Sequence, residues 1–330
     1  MLRMAVVGLG MGGSHGARVH EYGKKHGNVE YAAMCDLDGE KLKTRAKLYK
    51  EEIGATPTPY QSVEEMLKKE KLDGVIISTP SGTHHKVAKL VSDAGVNLLI
   101  DKPVDITKEA IDVIEKSVKA SGVTCGVVYQ NRLTPIFNGL KKVIDDKLLG
   151  RPLICDFRMK WYRSQEYYDA GGWRGTWKMD GGGSIMNQGI HCVDILCWLF
   201  GKPKTVVGEF AKLNHKIETE DWTGGVIEFE SGVRSTITTT TCAAPKKDYN
   251  FFDYHAENGS IYLKQLEVIE SSIENLNTIN PPKFDHPVDD FIDSVLNKRQ
   301  PIAPLNEARR SVDLILALYQ SAKEGRRITL

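Results

Sequence analysis

Over the first third of the chain, short apolar runs alternate with stretches of helical period. Met4–Val7, Val29–Cys35, Val75–Thr79, Asn97–Ile100 and Cys125–Tyr129 are mostly apolar, as strands covered on both faces are. The segments between them read as helices. A charged one spans about Glu40 to Lys50, and Ser62-Val63-Glu64-Glu65 fits a capping box opening a short second one. The next repeats Val87, Leu90, Val91 and Ala94 and stops at Gly95, and Thr107 caps another carrying Ile111, Ile114 and Val118. This order predicts a parallel α/β sheet, in which ligands sit beyond the carboxyl ends of the strands. Gly8, Asp36, Thr79, Asp101 and Gln130 occupy those positions.

From about residue 124 the pattern changes. Val226, Glu228, Glu230, Val233, Ser235 and several threonines alternate within Gly225–Thr241, which suits a half-exposed antiparallel sheet. Asp285–Lys298 reads as a helix with Val288, Phe291, Ile292 and Val295 on one face, and Glu307–Gly325 as a closing amphipathic helix. The predicted architecture is an α/β domain over 1–123 and an α+β domain over 124–330, the latter with a large, mostly antiparallel, open-faced sheet. Its few helices cannot cover that sheet on both sides, which predicts a homodimer or homotetramer joined through the open face. A threonine-rich sheet left exposed in a monomer is the alternative.

Composition narrows the function classes. Forty-four basic against 43 acidic residues in 330 give no charge bias toward nucleic acid or an anionic membrane. Six scattered cysteines, a first strand with no leader before it and no run long enough to span a bilayer predict a soluble cytoplasmic protein. His84-His85 and the Cys192, Cys197 pair lack zinc-site spacing, so no metal site is expected.

The candidate chemistry begins at the first strand. Gly8-x-Gly10-Met11-Gly12-Gly13 follows it directly, and Asp36 closes the second apolar run. Gly8 allows a tight turn, Gly10 a close approach to a pyrophosphate, and Gly13 close helix–strand packing, while an acidic residue at this distance suits a ribose. The helix behind the turn offers free N–H groups and a positive dipole end to the phosphates. These residues predict a Rossmann domain holding NAD. A 2′-phosphate would meet the charge of Asp36, and Leu37 and Asp38 offer no arginine to compensate, so NADP is disfavoured; Lys41 is the nearest cation.

Lys102, in Asp101-Lys102-Pro103, directly follows a strand and is placed to donate to a substrate oxygen. The other reading is a surface lysine in a proline-stopped turn. In Gly181-Gly182-Gly183-Ser184-Ile185-Met186-Asn187-Gln188-Gly189-Ile190-His191-Cys192-Val193-Asp194, helical spacing turns Asn187 and His191 the same way. His191 is either an acceptor for a hydroxyl proton or a buried histidine bonded to Asp194. Trp161, Tyr162, Tyr167, Tyr168, Trp173 and Trp177 form an aromatic segment that stacks on a sugar or packs on the sheet, and Tyr162 is its substrate-side candidate.

These islands, taken in order, resemble the glucose–fructose oxidoreductase / inositol dehydrogenase (Gfo/Idh/MocA) family. The resemblance rests on the glycine turn with Asp36, Ile77-Ser78-Thr79-Pro80-Ser81-Gly82-Thr83-His84, Asp101-Lys102-Pro103 where Glu-Lys-Pro is usual, Gln130-Asn131-Arg132 with Pro135, and the block at 181–194. It implies NAD or NADP in the first domain and hydride transfer at a sugar or cyclitol carbon. Lys102 and His191 become the catalytic pair, and Ser78, Thr79, Pro80, His84, Asp101 and Gln130 cofactor contacts, with Trp173 and Arg174 near the nicotinamide. Inositol dehydrogenase-like members carry aspartate where this chain has Asn187, so Asn187 is expected to orient a substrate hydroxyl. The Met-Asn-Gln-Gly-Ile-His wording is closer to members acting on sugar nucleotides or glycosides. Two other functions fit the same features. One is a glycosidase or lyase using NAD for transient oxidation, the other a non-catalytic NAD-linked sugar sensor.

Overall fold

The computed structural model describes residues 1–10, 13–245 and 247–330. Met11 and Gly12 of the glycine turn lie outside the described residues. The chain divides into two compact units, Met1–Val128 with Phe284–Asn306, and Tyr129–Lys283 with Glu307–Leu330.

The first unit contains β1 (Leu2–Val7), α1 (Gly13–His26), β2 (Val29–Cys35), α2 (Gly39–Leu48), β3 (Thr58–Tyr60), α3 (Val63–Lys69), β4 (Gly74–Ile77), α4 (His84–Asp93), β5 (Asn97–Ile100), α5 (Lys108–Ser121) and β6 (Cys125–Val127). The strands form one parallel sheet in the order β3-β2-β1-β4-β5-β6. Strand order reverses beside β1, which places the glycine turn after β1 at the switch point. Ser62 caps α3 by accepting the Glu65 N–H, and Thr107 caps α5 through the Ala110 N–H.

The helix Pro287–Asn297 belongs to this unit, not to the second domain as the sequence pattern had it. Val288, Phe291 and Ile292 are buried in one cluster with Met4, Val6, Val19, Tyr22 and Ile76. Arg18 of α1 also forks onto Asp289, at 2.8 and 2.5 Å. A helix in a later segment reads as part of its sequence neighbourhood unless its apolar partners are known. Here those partners lie on β1, α1 and β4.

The second unit holds α6 (Pro135–Asp145), β7 (Pro152–Lys160), α7 (Gln165–Asp169), α8 (Ile190–Phe200), β8 (Pro203–Ala211), β9 (Trp222–Phe229), β10 (Arg234–Thr240), β11 (Tyr249–Ala256), β12 (Gly259–Lys264), β13 (Glu267–Ser271) and β14 (Ile328–Thr329). With the preceding α9 (Pro287–Asn297), its long helix is α10 (Leu305–Glu324). The eight strands run β13-β12-β11-β7-β10-β9-β8-β14, antiparallel except for β7 with β10. The alternating segment Gly225–Thr241 is thus two strands, broken where Gly232 takes φ +90°.

One face of this sheet meets α10 closely: a Cβ on Gly208 would lie 2.8 Å from the Leu318 carbonyl oxygen. The other face carries exposed apolar residues, including Ile154, Val207 and Val226, with Val207 paired to Val226 across β8 and β9. All six cysteines are free thiols. Among the described residues, no helix is long and apolar enough to cross a membrane.

Candidate active site

At the end of β1 the backbone makes its turn at Gly8, with φ +90° and no room for a side chain: a Cβ would lie 2.4 Å from the Ser78 carbonyl oxygen. Gly10 differs, because a Cβ there would meet nothing within 4 Å. Its backbone therefore borders open space of the kind a pyrophosphate needs. Asp36 stands beside this turn. Its Oδ2 accepts the Leu9 N–H at 2.8 Å, its Oδ1 accepts the Asp38 N–H at 3.0 Å, and the Lys41 ammonium lies 3.3 Å away. The site thus fits a dinucleotide: the positive dipole end of α1 stands behind the turn, and the carboxylate keeps lone pairs for ribose hydroxyls.

Gly13 has a different part from the one the motif suggests. A Cβ there would run into the Arg45 guanidinium at 2.4 Å, and Arg45 in turn donates to the Leu9 carbonyl at 3.1 Å. Close helix–strand packing falls instead at Gly16, where a Cβ would sit 2.7 Å from the Tyr31 hydroxyl on β2.

The ends of β4 and β5 are tied together by side chains. Ser78 Oγ donates to Asp101 Oδ2 at 2.7 Å, the Lys102 N–H donates to Asp101 Oδ1 at 2.9 Å, and His15 Nε2 of α1 lies 3.5 Å from Oδ2. Burial works against the charge of Asp101. The His15 hydrogen bond and charge, then Lys102 and Ser78, outweigh it, and the carboxylate is held below its usual range. The Lys102–Pro103 peptide is cis, and Lys102 is half-buried. Thr79 and Pro80 form the half-exposed loop after β4.

His84, expected among the cofactor contacts, is 1% exposed. Its Nδ1 lies 2.9 Å from the Pro103 carbonyl and its Nε2 2.8 Å from the Thr79 carbonyl. Both ring nitrogens are used inside the protein, so His84 braces the two loops against each other instead of reaching a ligand.

In the second unit, Ser184–Gly189 is a π-helical turn that runs straight into α8, whose second residue is His191. His191 is largely buried, edge-on to Tyr129, with its Nε2 3.4 Å from the Gln130 amide nitrogen. With the Gln130 amide donating, Nε2 is the accepting nitrogen in the tautomer that carries its proton on Nδ1. The carboxylate of Asp194 is committed elsewhere. Arg132 forks onto it at 3.0 and 2.8 Å, both side chains fully buried, and Glu307 takes the other arm of Arg132 at 2.7 Å. Burial opposes the charge on Arg132, but Asp194 and Glu307 reverse that and raise its pKa further. This pair joins the segment carrying Gln130 to the helix carrying His191. Sequence reasoning had both motifs without seeing that one holds the other.

Asn187 is also committed. Its amide donates to Asp180 Oδ1 at 2.6 Å and its carbonyl oxygen accepts from Gln188 at 2.8 Å. Asp180, 1% exposed, also accepts the Gly175 N–H at 2.8 Å. The expected substrate-orienting amide is therefore a link in an internal chain, because a buried carboxylate behind it needs a donor.

The aromatic segment splits in two. Tyr168 is buried and bonded to Thr241, and Trp177 packs on Phe210 and Tyr319. Trp161, Tyr167 and Trp173 instead interleave with guanidinium groups: Arg163 lies over Trp161 and Tyr167, Arg174 over Tyr167 and Trp173. Gln188 connects this stack to Asn187 by donating to the Tyr167 hydroxyl at 2.9 Å. Tyr162 pairs with Cys242 in an isolated bridge, its N–H on Asp248.

Among the described residues, His215, Asp221 and Cys242 bring three ligand-type atoms within 4.8 Å of one another. Asp221 Oδ2 already accepts the Asn214 and His215 N–H groups at 2.9 and 2.8 Å, with His215 Nδ1 at 3.0 Å. Its Oδ1 takes the Leu213 N–H at 2.6 Å. A carboxylate so filled holds the 213–215 turn and has little left to offer a cation.

Comparison with known proteins agrees with this geometry. The profile described as "Oxidoreductase family, NAD-binding Rossmann fold" matches residues 2–129, and that of the "GFO/IDH/MocA C-terminal domain" matches 137–262. The WlbA dehydrogenase of Chromobacterium violaceum, solved with NADH and UDP-GlcNAcA, is 30% identical, with a TM-score of 0.89 over 100% of this chain and 96% of that one. D-apiose dehydrogenase of Paraburkholderia graminis is 25% identical over 92% of this chain and 83% of its own length. The scyllo-inositol 2-dehydrogenase (NAD(+)) of Bacillus subtilis is 27% identical over 72% of this chain and 66% of its own length. The chain belongs to the Gfo/Idh/MocA family of NAD-binding oxidoreductases.

Proposed function

We propose that the protein is an NAD-dependent dehydrogenase that oxidises a ring hydroxyl of a sugar, and that the sugar is carried on a nucleotide. The observation that carries this reading is His191, its accepting nitrogen set beside Gln130 on a helix locked by the Arg132–Asp194 pair. The likeness to WlbA along essentially the whole of both chains supports the substrate class. Bound NAD supplies the hydride acceptor. His191 accepts the hydroxyl proton at Nε2, and the Lys102 ammonium donates to the same oxygen and favours its deprotonated form. Ser78, Thr79, Pro80, Asp101, Gln130, Trp173 and Arg174 are the proposed cofactor contacts, and Tyr162 a substrate contact. The exposed sheet face is the proposed site of homodimer or homotetramer assembly.

A panel of UDP-sugars, free sugars, glycosides and inositols with NAD tests the proposal through absorbance of the reduced nicotinamide. Net NADH formation with UDP-GlcNAcA or a related sugar nucleotide is expected. Product without net NADH would identify transient oxidation instead. Lys102→Ala and His191→Ala should each lower turnover by roughly a hundred- to ten-thousand-fold while NADH binding stays near native. Near-normal turnover of His191→Ala at every pH would refute its role.

A further inference from the structure

The π-helical turn that presents Asn187, Gln188 and His191 begins with three backbone N–H groups that no helix of its own can satisfy. One residue, just ahead of β9, takes all three. Glu220 Oε2 accepts the Gly183 N–H at 2.7 Å, its Oε1 accepts the Ile185 N–H at 3.0 Å, and its backbone oxygen accepts the Ser184 N–H at 3.0 Å. Ser184 Oγ and Thr223 Oγ1 also approach Oε1, at 3.3 and 3.4 Å. Glu220 is 1% exposed. The fit is close enough to dictate glycine: a Cβ on Gly183 would come 1.8 Å from the Glu220 carbonyl oxygen, and one on Gly182 2.1 Å from the Tyr319 hydroxyl.

Helix starts are ordinarily capped by a residue next to them in sequence, through a short side-chain oxygen. Here no such side-chain cap forms at Gly183. The carboxylate comes instead from a distant loop and sets a negative charge at the positive end of the helical segment. We propose that Glu220 is a positioning residue for the reaction, which caps the 184–200 segment from outside it and so fixes the direction in which His191 points. The inference rests on the role given to His191 above.

A glutamine in this place keeps the shape but replaces one accepting oxygen with an NH2 group. Either Gly183 or Ile185 would then face a donor, and the turn must shift. The native carboxyl also titrates where such a shift would be visible. Burial pushes Glu220 up to about 7, against the pull of the Ile185 and Gly183 N–H groups. The titratable groups facing it are Tyr319 from α10 and Tyr168 from α7, both pushed up by burial, with Asp180 beside them.

The test compares the native protein with Glu220→Gln by three measurements. Amide hydrogen exchange over 183–191, without ligand, should speed up in the variant. The His191 ring signal in proton–carbon NMR spectra should lose an inflection near neutral pH that the native protein shows. Turnover of UDP-GlcNAcA with NAD should fall by about a hundred-fold, the scale of a small misplacement, while KM and NADH affinity change little. Thr223→Val, which removes only a hydroxyl from Oε1, should move the same signals less and in the same direction, and stands in if Glu220→Gln does not fold. Faster exchange with an unchanged His191 signal would show a merely structural cap and overturn the proposal, as would unchanged exchange. Should UDP-GlcNAcA not be a substrate, the exchange and NMR measurements still decide the question.

Discussion

Asp36 shows how one side chain can serve the protein and its ligand together. One oxygen accepts the Leu9 N–H, and the negative charge of the same carboxylate would oppose a 2′-phosphate. Lys41, 3.3 Å away and exposed, forms an ion pair that solvent screens, so it would offset that opposition only in part. Asp36→Ala should therefore narrow the preference for NADH over NADPH, as titration of both by fluorescence would measure; tighter NADPH binding by the native protein would refute the assignment. Asn187 shows the opposite case. From sequence alone it invites comparison with a charged Asp–His pair. In the structure a carboxylate already lies one hydrogen bond behind it, in Asp180, with Asn187 as a donor that makes its burial tolerable. An aspartate at 187 would face a second carboxylate, and the two would share a proton instead of simply charging His191.

At the level of elements, the parallel strands and the glycine turn were legible because their causes are local. Continuous apolar runs, a Gly in left-handed φ and a cap such as Thr107 act over a few residues. The roles of Glu220 and Arg132 and the unit to which α9 belongs were not legible for the opposite reason, since each is explained by a partner far away in the chain. The π-helical turn escaped as well, because its residues follow no apolar period; three N–H groups bonded to Glu220 hold it in place. The Arg132–Asp194 pair makes this dependence measurable. Arg132→Met leaves Asp194 buried without its guanidinium, and breaking such a pair costs about 3–5 kcal/mol. Chemical denaturation should show that loss, with part of it recovered in Arg132→Met/Asp194→Leu. An undiminished midpoint for the single variant would mean the pair is not what fastens the Gln130 segment to α8.

For the molecule as a whole, the exposed valines and isoleucine of the second sheet are its most informative surface. The alternation along β7, with Cys155, Phe157 and Met159 buried and Ile154 and Arg158 outward, gives the sheet two finished faces of different character. Light scattering should return a mass at a multiple of 36.8 kDa, and Val226→Lys, beside Val207, should shift it toward the single chain. A single-chain mass for the native protein at micromolar concentration would exclude assembly through this face.

The return of α9 to the first unit also governs the order in which the protein can be made. When a ribosome has released the six parallel strands, Met4, Val6 and Ile76 still lack Val288, Phe291 and Ile292. The nucleotide-binding half must wait, with that apolar surface uncovered, until all of residues 129–283 have been synthesised. The nascent chain therefore carries an uncovered apolar surface through the middle of translation, and the half that looks autonomous in sequence is completed only by residues 284–306.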